Sequence, residues 1–387
     1  MSPTDFVHRD VLPAAVSESP ELLVLAVLAV LGLLAFSALV YRWVFATPGK
    51  RFARTVGSLD AAAILMHPNP DPDAMSCALA AQTIAEGVDT ETTLYHPGQI
   101  RHHENRAFET VLDVDFERIG SVGEIDEEEV VLVDHNEPRG FEGARKLDPV
   151  AVVDHHPGDG TGSSFTDVRP DYGACATVFT EYFRQLGHRP VGPDGEDDDD
   201  GRTIPPRVAT GLLYGIQSDT KHLTSGCSAA EFDAAAYLYP GIDGDKLNRI
   251  ANPDMDMETI EVKAQAIRSR DVRGVFAISD VGEVSNVDAI PQAADELRRL
   301  EGINAVVVLG HHDGTIQLSG RSTDDRVHMG KVIETAVEVV PMANGGGHAR
   351  MGGGQVPVDH MEGLGPSEGL TREELKDRLF DAMNGEL

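Results

Sequence analysis

Four short segments in which Asp or His follows an apolar run constrain this chain more than any other feature. They are residues 67–73 (HPNPDPD), 131–136 (VLVDHN), 152–156 (VVDHH) and 215–220 (GIQSDT). If the apolar runs are parallel strands, the Asp and His residues at their ends come together along one edge of an open α/β sheet, which is where these sheets bind ligands. Together the segments supply more oxygen and imidazole ligands than one ion needs, so they predict a two-metal hydrolytic site.

The apolar runs around these segments alternate with helical patterns, which predicts an α/β domain with a central parallel sheet. The predicted strands are residues 61–66, 90–95, 130–133 and 150–153. The predicted helices are residues 74–86, 172–186 and 206–218, the last with a proline in its first turn.

The C-terminal third predicts a second, smaller domain of mixed α/β type. Residues 230–272 are expected to be a helical connector, followed by strands at 275–278, 305–309 and 316–318 and a helix at 326–340. The glycine-rich residues 345–354 are expected to be irregular. A capping box, Thr371 with Glu374, predicts a final helix within residues 364–387.

The N-terminal region contains a segment typical of a membrane span. Residues 22–40 carry no charge and are mostly Leu, Val and Ala, long enough for a bilayer core of about 30 Å. We therefore predict a tail over residues 1–21, a transmembrane helix over 22–41 and a basic linker over 42–57. The Lys and Arg residues that follow the segment place the rest of the chain in the cytoplasm. A signal peptide would need a basic start and a shorter apolar run.

The charge of the chain is strongly negative: 64 acidic residues face 32 basic ones, a net charge of −32. This composition indicates a protein adapted to a salty cytoplasm, where ions screen the repulsion. It argues against a long nucleic-acid footprint, which needs a basic stripe. That argument weakens if the acidity is an adaptation of the whole cell. The three cysteines have no CxxC spacing, so they predict neither a disulfide framework nor a zinc site.

The triplet Asp154-His155-His156 and the run Gly345-Gly346-Gly347-His348 identify a family resemblance. With the first segment and residues 317–322 (QLSGRS), they make the chain similar to the DHH phosphoesterase superfamily over residues 61–357. The resemblance implies a DHH catalytic domain over residues 58–229 and a DHH-associated domain over 273–363. Family members hydrolyse cyclic dinucleotides, short oligonucleotides, bisphosphate nucleotides, single-stranded DNA or pyrophosphate.

The resemblance also implies the ligands of two divalent ions, with manganese expected and magnesium or cobalt as alternatives. One ion would take His67, Asp71 and Asp134; the other would take Asp73, Asp134, His155 and Asp219. Asp134 would bridge the two ions. The alternative interpretation of Asp71 and Asp73 is helix capping, which explains one aspartate more easily than two. The alternative for Asp134 is a turn at a strand end.

Further residues take their implied roles from the same resemblance. His156 would contact the phosphate and steady the charge that grows on it, and Asp154 would orient the histidines. His135 and Asn136 would support the ligands. Lys221 and His222 stand where the family commonly has a small residue and an aromatic, so substrate selection is open here.

The second domain is expected to bind substrate. The residues concerned are Arg321, Ser322, Gly345, Gly346, Gly347 and His348. Arg321 would hold phosphate with its planar fork, and the glycines with His348 would form a backbone cradle for an anion. The alternative for the glycine run is a flexible surface loop.

The sequence therefore predicts a membrane-anchored, manganese-dependent phosphodiesterase with cytoplasmic catalytic domains. Its substrate would be cyclic di-AMP, a short linear oligonucleotide, or both, cut by a two-metal mechanism. The alternatives are a RecJ-like single-strand exonuclease and a non-catalytic membrane sensor of nucleotides. The expected partners are the small nucleotide substrate and the membrane; a homodimer is the other association that we consider.

Overall fold

The computed structural model describes residues 24–25, 27–33, 46–100, 103–195, 202–362 and 369–387. Its contacts divide the chain into two compact units, Met1–Pro253 and Asp254–Leu387. The boundary falls inside the segment that we predict to be a helical connector, because the helices of that segment pack on different units. Ala229–Leu238 and Gly244–Ala251 belong to the first unit, and Met257–Arg268 belongs to the second.

The first unit alternates strands and helices in the order that the sequence predicts. Its strands are β1 (Ala61–Leu65), β2 (Glu91–Pro97), β3 (Glu117–Ile119), β4 (Val130–Val133), β5 (Ala151–Asp154), β6 (Phe165–Val168), β7 (Arg189–Pro190) and β8 (Thr203–Ile204). Its helices are α1 (Pro48–Val56), α2 (Pro72–Glu86), α3 (His103–Leu112), α4 (Cys175–Leu186), α5 (Pro206–Asp219), α6 (Ala229–Leu238) and α7 (Gly244–Ala251). Short 3-10 turns occupy Val122–Glu124, Ala144–Lys146 and Tyr239–Gly241.

The main sheet of this unit has six parallel strands in the order β3-β2-β1-β4-β5-β6. Strands β1, β4 and β5 are almost completely buried, which explains their continuous apolar sequences. The order of the strands reverses between β1 and β4. This is the topological switch point of an open α/β sheet, where the carboxyl ends of the strands leave a crevice for ligands.

Helix α1 corrects the prediction of a basic linker over residues 42–57. Residues Gly49, Phe52, Ala53 and Val56 are buried, and their spacing places them on one face of the helix. Phe52 is completely buried, and its ring lies 5.5–5.7 Å from the rings of Phe165, Phe179 and Tyr182. The linker prediction is therefore wrong for Pro48–Val56, because an aromatic anchor fixes this segment in the core.

The second unit is the predicted mixed α/β domain. Its strands are β9 (Arg270–Arg273), β10 (Phe276–Glu283), β11 (Ala305–His312), β12 (Thr315–Ser322), β13 (Asn344–Gly347) and β14 (Met351–Pro357). Its helices are α8 (Met257–Arg268), α9 (Ala289–Leu297), α10 (Met329–Val337), α11 (Val358–Met361) and α12 (Arg372–Asn384). The sheet order is β13-β14-β12-β11-β10-β9, with only β10 and β11 parallel. The predicted capping box of the last helix is present at Thr371 and Glu374.

The glycine-rich stretch corrects a second prediction. Residues 345–354 were expected to be irregular, but most of them lie in β13 and β14, which pair with each other. A Cβ on Gly345 or Gly354 would come within 2.9 Å of the Ile333 side chain, and one on Gly352 within 2.8 Å of the Met329 carbonyl oxygen. The missing side chains let α10 pack directly on the sheet, and this tertiary packing outweighs the low strand propensity of glycine.

The predicted transmembrane helix lies largely outside the described residues. Within it, residues 24–25 and 27–33 are helical. Across the parts of the chain that the structure describes, no helix is both long enough and apolar enough to cross a membrane.

Candidate metal centre

The six predicted metal ligands lie together at the carboxyl ends of the central strands, next to the switch point. Three of them follow strands, two begin helix α2 and one ends helix α5. In chain order they are His67, Asp71, Asp73, Asp134, His155 and Asp219.

The first cluster forms around His67, which follows β1. Its Nε2 atom lies 3.5 Å from Asp134 Oδ2 and 3.7 Å from Asp71 Oδ2. The potential ligand atoms of these three residues all lie within 4.8 Å of one another. They match the ligand set that the resemblance implies for one ion.

The second cluster forms around His155, which follows β5. Its Nε2 atom lies 3.4 Å from Asp134 Oδ1. The same nitrogen lies 3.7 Å from Asp73 Oδ2 and 3.5 Å from Asp219 Oδ2. Asp134 therefore offers one carboxylate oxygen to each cluster, which is the arrangement that a bridging ligand requires.

Asp134 takes an unusual backbone conformation to reach this position. Its φ angle is +58°, in the left-handed region that Asp tolerates better than most residues. Its N–H still donates to the Val153 carbonyl at 2.9 Å, so the turn starts directly from the sheet. Burial and the neighbouring Asp73 carboxylate raise the pKa of Asp134 well above its usual range. A buried carboxylate in this environment is stable only beside protons or cations.

The residues of the two clusters fit divalent metal ions. Both carboxylate oxygens of Asp134 and the Nε2 atom of His155 are buried, and among the described residues none of these atoms has a hydrogen-bond partner. Buried polar atoms are normally paired, and these atoms are available as ligands for a cation. Mixed carboxylate and imidazole donors suit manganese and related divalent ions.

The pKa values of the other ligands show that positive charge would be stabilised at this site. Burial and the nearby Asp71 carboxylate raise the pKa of Asp73 to about 7. Burial, Asp73 and Asp71 raise the pKa of Asp219 to about 8. Burial lowers the pKa of His67, but the Asp134 and Asp71 carboxylates outweigh it and raise the value to about 11.

Helix capping and metal ligation are combined in the first segment. Asp71 Oδ1 accepts the N–H groups of Asp73 and Ala74 at 3.1 Å, which caps α2 and leaves Oδ2 facing His67. Asp73 is completely buried and accepts the N–H groups of Cys175 at 2.7 Å and Ala176 at 2.8 Å, at the start of α4. Capping of α2 therefore applies to Asp71 alone, whereas Asp73 accepts N–H groups of α4; neither contact excludes metal binding.

Backbone carbonyl groups orient the histidine rings. The Nδ1 atom of His67 lies 3.0 Å from the Pro68 carbonyl oxygen, and that of His155 lies 3.1 Å from the Tyr172 carbonyl oxygen. A proton on Nδ1 satisfies each carbonyl and leaves the Nε2 lone pair for a metal ion. His135 is buried with its Nδ1 atom 2.9 Å from the Val133 carbonyl, and burial lowers its pKa to about 3, so it stays neutral.

His156 and Asp154 form a pair at the edge of the clusters. Asp154 is buried, and its Oδ1 accepts His156 Nδ1–H and His155 N–H, both at 2.8 Å. His156 is half-exposed, and its hydrogen bond to Asp154 raises its pKa. The hydrogen bond to Asp154 uses Nδ1 and leaves Nε2 outside this pair. The catalytic roles of both residues stay predictions.

The second unit places its predicted substrate-binding residues in structural contacts that the sequence does not reveal. Arg321 is buried, and its Nε and Nη2 atoms donate to the two oxygens of Asp295 at 2.8 and 3.0 Å. Its Nη1 atom donates to Ser319 Oγ and the Gly320 carbonyl. The planar fork expected to face phosphate is thus paired with Asp295 across the β12–α9 packing.

The other predicted substrate contacts are also part of the fold. Ser322 is buried, and its hydroxyl donates to the Asp324 carbonyl at 3.0 Å. Gly345, Gly346 and Gly347 belong to β13, and the exposed His348 donates its N–H to the Met351 carbonyl at 2.7 Å. The expected backbone cradle is therefore a strand followed by a tight turn. A role in substrate binding stays a prediction for these residues.

Sequence reasoning missed the groups that hold the ligands from α4 and the loop before it. These are the Tyr172 carbonyl and the N–H groups of Cys175 and Ala176. Any residue type can provide a backbone group, so side-chain identity gives no signal. The one available signal is the helix predicted over residues 172–186, because the first N–H groups of a helix need partners; the structure starts this helix at Cys175.

Family models identify both units. The model described as "DHH family, N-terminal domain" matches residues 61–216, and the "DHHA1 domain" model matches residues 273–368. The chain belongs to the DHH superfamily and carries the C-terminal DHHA1 domain, which confirms the resemblance seen in the motifs.

Several relatives cover different shares of the chain. The uncharacterized protein MJ1633 of Methanocaldococcus jannaschii is 33% identical over 80% of this chain and 60% of its own length. The cyclic-di-AMP phosphodiesterase PdeA of Listeria monocytogenes is 25% identical over 74% of this chain and 43% of its own length. A probable manganese-dependent inorganic pyrophosphatase of Deinococcus radiodurans is 30% identical over 46% of this chain and 53% of its own length. The chain thus spans at most 60% of these relatives.

Among solved structures, an exopolyphosphatase-related protein of Bacteroides fragilis has a similar fold. Its TM-score is 0.59 at 15% identity, and the match covers 87% of this chain and 95% of that chain. At this level of identity the similarity concerns the fold alone.

Proposed function

We propose that the chain is a phosphodiesterase that depends on two divalent ions, with manganese the expected metal, and hydrolyses a small nucleotide. The observation that carries the proposal is the placement of Asp134, which offers one unpaired buried oxygen to each of two ligand clusters. The manganese assignment is supported by the donor set and by the printed name of the Deinococcus relative.

In this proposal His67, Asp71 and Asp134 hold one ion, and Asp73, Asp134, His155 and Asp219 hold the other. Bound divalent ions supply an activated water and neutralise charge on a phosphoryl group. His156 then donates Nε2–H to a phosphoryl oxygen as negative charge grows on it. Asp154 accepts the His156 Nδ1 proton at 2.8 Å, which keeps the ring in the orientation that this donation needs.

Two observations favour a phosphodiester over pyrophosphate. The chain carries the DHHA1 domain, which the family resemblance associates with the diester-cleaving members. The cyclic-di-AMP phosphodiesterase of Listeria also aligns over 74% of the chain, whereas the pyrophosphatase aligns over 46%. The net charge of −32 disfavours long nucleic acids, which need a basic surface. We therefore propose cyclic di-AMP or its linear dinucleotide product as the substrate.

The turn after Asp219 is a candidate for substrate selection in this proposal. Lys221, His222 and Leu223 have φ angles of 48°, 58° and 61°. Three consecutive residues therefore take the left-handed backbone conformation, which residues other than glycine rarely adopt. The Thr220 hydroxyl accepts the Leu223 N–H at 3.1 Å and so helps to hold the turn. Lys221 and His222 are exposed directly after a proposed ligand, where a cation would favour an anionic substrate.

Product analysis with a panel of substrates tests the proposed function. The protein, kept in high salt with Mn²⁺, is incubated with cyclic di-AMP, linear di- to pentanucleotides, pyrophosphate and long single-stranded DNA. We expect turnover of the cyclic or linear dinucleotide with release of mononucleotides. The His155→Ala variant is the control for a contaminating hydrolase and should be inactive. Processive digestion of long DNA without dinucleotide turnover would replace this proposal with a RecJ-like activity.

We also propose that the apolar segment over residues 22–40 anchors the protein in the cell membrane, with the catalytic domains in the cytoplasm. The length of the segment, its lack of charge and the basic residues after it support this. We expect the full chain in a membrane pellet that resists salt washing, whereas a variant without residues 1–45 should stay in the supernatant. Protease added outside intact cells should leave the catalytic domains uncut. Cleavage there, or equal behaviour of the two proteins, would disprove the anchor.

A further inference from the structure

We propose that Arg169 is a positioning residue for His155. The Arg169 clamp, formed by Asp167, Arg169, Tyr172 and Glu181, fixes the carbonyl group that accepts His155 Nδ1–H. The clamp thereby holds His155 Nε2 toward the carboxylates of its cluster. This inference rests on the metal-ligand role of His155 in the proposed function.

The two ligand histidines differ in how far away their orienting carbonyl lies in the chain. His67 Nδ1 lies 3.0 Å from the carbonyl of the next residue, Pro68. His155 Nδ1 lies 3.1 Å from the carbonyl of Tyr172, 17 residues away. The His67 contact is therefore local, whereas the His155 ring keeps its orientation only if a separate loop stays in place.

Backbone hydrogen bonds tie this loop to the DHH triplet. The Arg169 N–H donates to the Asp154 carbonyl at 2.9 Å, and the Tyr172 N–H donates to the Arg169 carbonyl at 3.0 Å. The loop thus leaves the sheet beside the residue that precedes His155 and returns its Tyr172 carbonyl to the imidazole. A shift of the loop would move the orienting carbonyl directly.

The Arg169 side chain closes the loop on its other side. Its Nη1 atom donates to the Tyr172 hydroxyl at 3.2 Å and to Glu181 Oε2 at 2.6 Å, and the guanidinium lies over the Tyr172 ring at 5.1 Å. The Tyr172 hydroxyl donates to Glu181 Oε1 at 2.6 Å. One carboxylate in α4 therefore fixes both the arginine and the tyrosine of the loop.

A second carboxylate anchors the arginine to the sheet. Arg169 Nε and Nη2 donate to the two oxygens of Asp167 at 2.9 and 2.8 Å, and the Tyr182 hydroxyl donates to Asp167 Oδ2 at 2.7 Å. The side chains of Arg169 and Asp167 are only 16% and 15% exposed, so solvent screens this pair weakly. Bidentate, charge-assisted pairs of this kind hold geometry as well as charge.

The clamp should affect one of the two metal sites. It supports His155 and not His67, so its loss should weaken the ion held with Asp73 and Asp219 and spare the ion held with Asp71. Removing the group that orients a metal-binding histidine typically lowers metal affinity about 10–100-fold. Arg169→Met displaces the Tyr172 carbonyl without removing it, so we expect the affinity of one bound Mn²⁺ to fall about tenfold, the lower end of this range, and the other to stay within about twofold.

The experiment measures Mn²⁺ binding by the full chain, with equilibrium dialysis followed by metal analysis. Arg169→Lys keeps the charge without the fork and should give an intermediate loss. Arg184→Met is the matched control, because Arg184 also lies over a tyrosine ring, that of Tyr237, at 4.6 Å and donates to a carbonyl of α6. Glu181→Gln leaves the Arg169–Asp167 pair intact and provides a milder variant if Arg169→Met does not fold.

Measuring Mn²⁺ binding instead of hydrolysis tests the Arg169 clamp independently of the proposed phosphodiesterase activity. Two ions bound by the wild type and the control, with one ion weakened in Arg169→Met and Glu181→Gln, would support the clamp. Wild-type affinity at both sites in these variants, while His155→Ala loses an ion, would overturn the clamp alone. If His155→Ala loses no ion, the ligand assignment is wrong and the clamp fails with it. Failure to hydrolyse dinucleotides would leave these results unchanged.

Discussion

The variant Asp134→Asn should lose hydrolysis almost completely, with kcat lowered at least about 1,000-fold. The protein should also retain, on average, less than one tightly bound Mn²⁺ ion per chain instead of two. Asp134 offers one buried oxygen to each ligand cluster, so its replacement weakens both at once. Metal ions contribute several kcal/mol of charge stabilisation to such reactions, and each 1.4 kcal/mol corresponds to a factor of about ten. Steady-state kinetics and metal analysis of the dialysed protein measure both effects.

Two further variants show whether the effect belongs to the bridging position. Asp89 also has a positive φ, +61°, but is exposed and outside both clusters, so Asp89→Asn tests the same chemical change at a left-handed residue. It should keep full activity and both ions. His67→Ala removes a ligand from one cluster only and should lose at most one ion. An active Asp134→Asn enzyme with two bound ions would rule out the two-metal account.

The ligands of the centre could be predicted because each lies at the start or the end of a secondary-structure element that the sequence marks clearly. Asp134 and His155 end short apolar runs, and parallel strands in one sheet must bring such ends together. The sequence could not indicate the conformation that lets Asp134 face both clusters, since its positive φ depends on the turn after β4. The sequence motif therefore identifies Asp134 as a ligand, whereas its position between the two clusters depends on the folded backbone.

The buried face of helix α1 is encoded in the sequence, although the basic residues of the segment predict a linker. Its buried residues Gly49, Phe52, Ala53 and Val56 follow the i, i+3, i+4, i+7 spacing of an amphipathic helix. The basic residues between them suggested a linker instead. Charged side chains on the exposed face of a short helix are compatible with a buried aromatic on the other, and here the aromatic determines the packing.

In the second unit, contacts between residues distant in sequence could not be predicted from local sequence motifs. The fork of Arg321 is paired with Asp295, 26 residues away, and the glycines of β13 and β14 accommodate the backbone and side chains of α10. Both contacts depend on how elements distant in sequence pack against each other. An arginine before a glycine-rich run is equally compatible with phosphate binding and with a domain core, so only the structure could reveal the packing contacts.

Removal of the metal ions should abolish hydrolysis, by at least about 1,000-fold, because in the proposed mechanism bound divalent ions supply the activated water and neutralise charge on the phosphoryl group. Dialysis against a chelator, followed by assay with and without added Mn²⁺, measures the loss and its recovery. Na⁺ added to the same ionic strength is the control for screening of the acidic surface. Full activity in chelator would exclude the metal-dependent mechanism.

Metal removal should also make the stability of the protein fall as pH rises from 7 to 9, above the range in which the buried, neutral His135 would have the opposite effect. In the metal-free fold the pKa of Asp73 is about 7 and that of Asp219 about 8, against 3.8 for an ordinary Asp, and the pKa of His67 is about 11 against 6.5. Over this range the folded protein keeps protons that the unfolded chain releases, so rising pH favours unfolding. Bound Mn²⁺ replaces those protons, and the increase in Tm that it causes should therefore be larger at pH 8 than at pH 6.

Asp219→Asn removes one of the titrating groups and should reduce this difference. Thermal unfolding with and without Mn²⁺ at the two pH values measures it, and a larger increase at pH 6 would show that the acids of the centre are not held protonated in the metal-free fold.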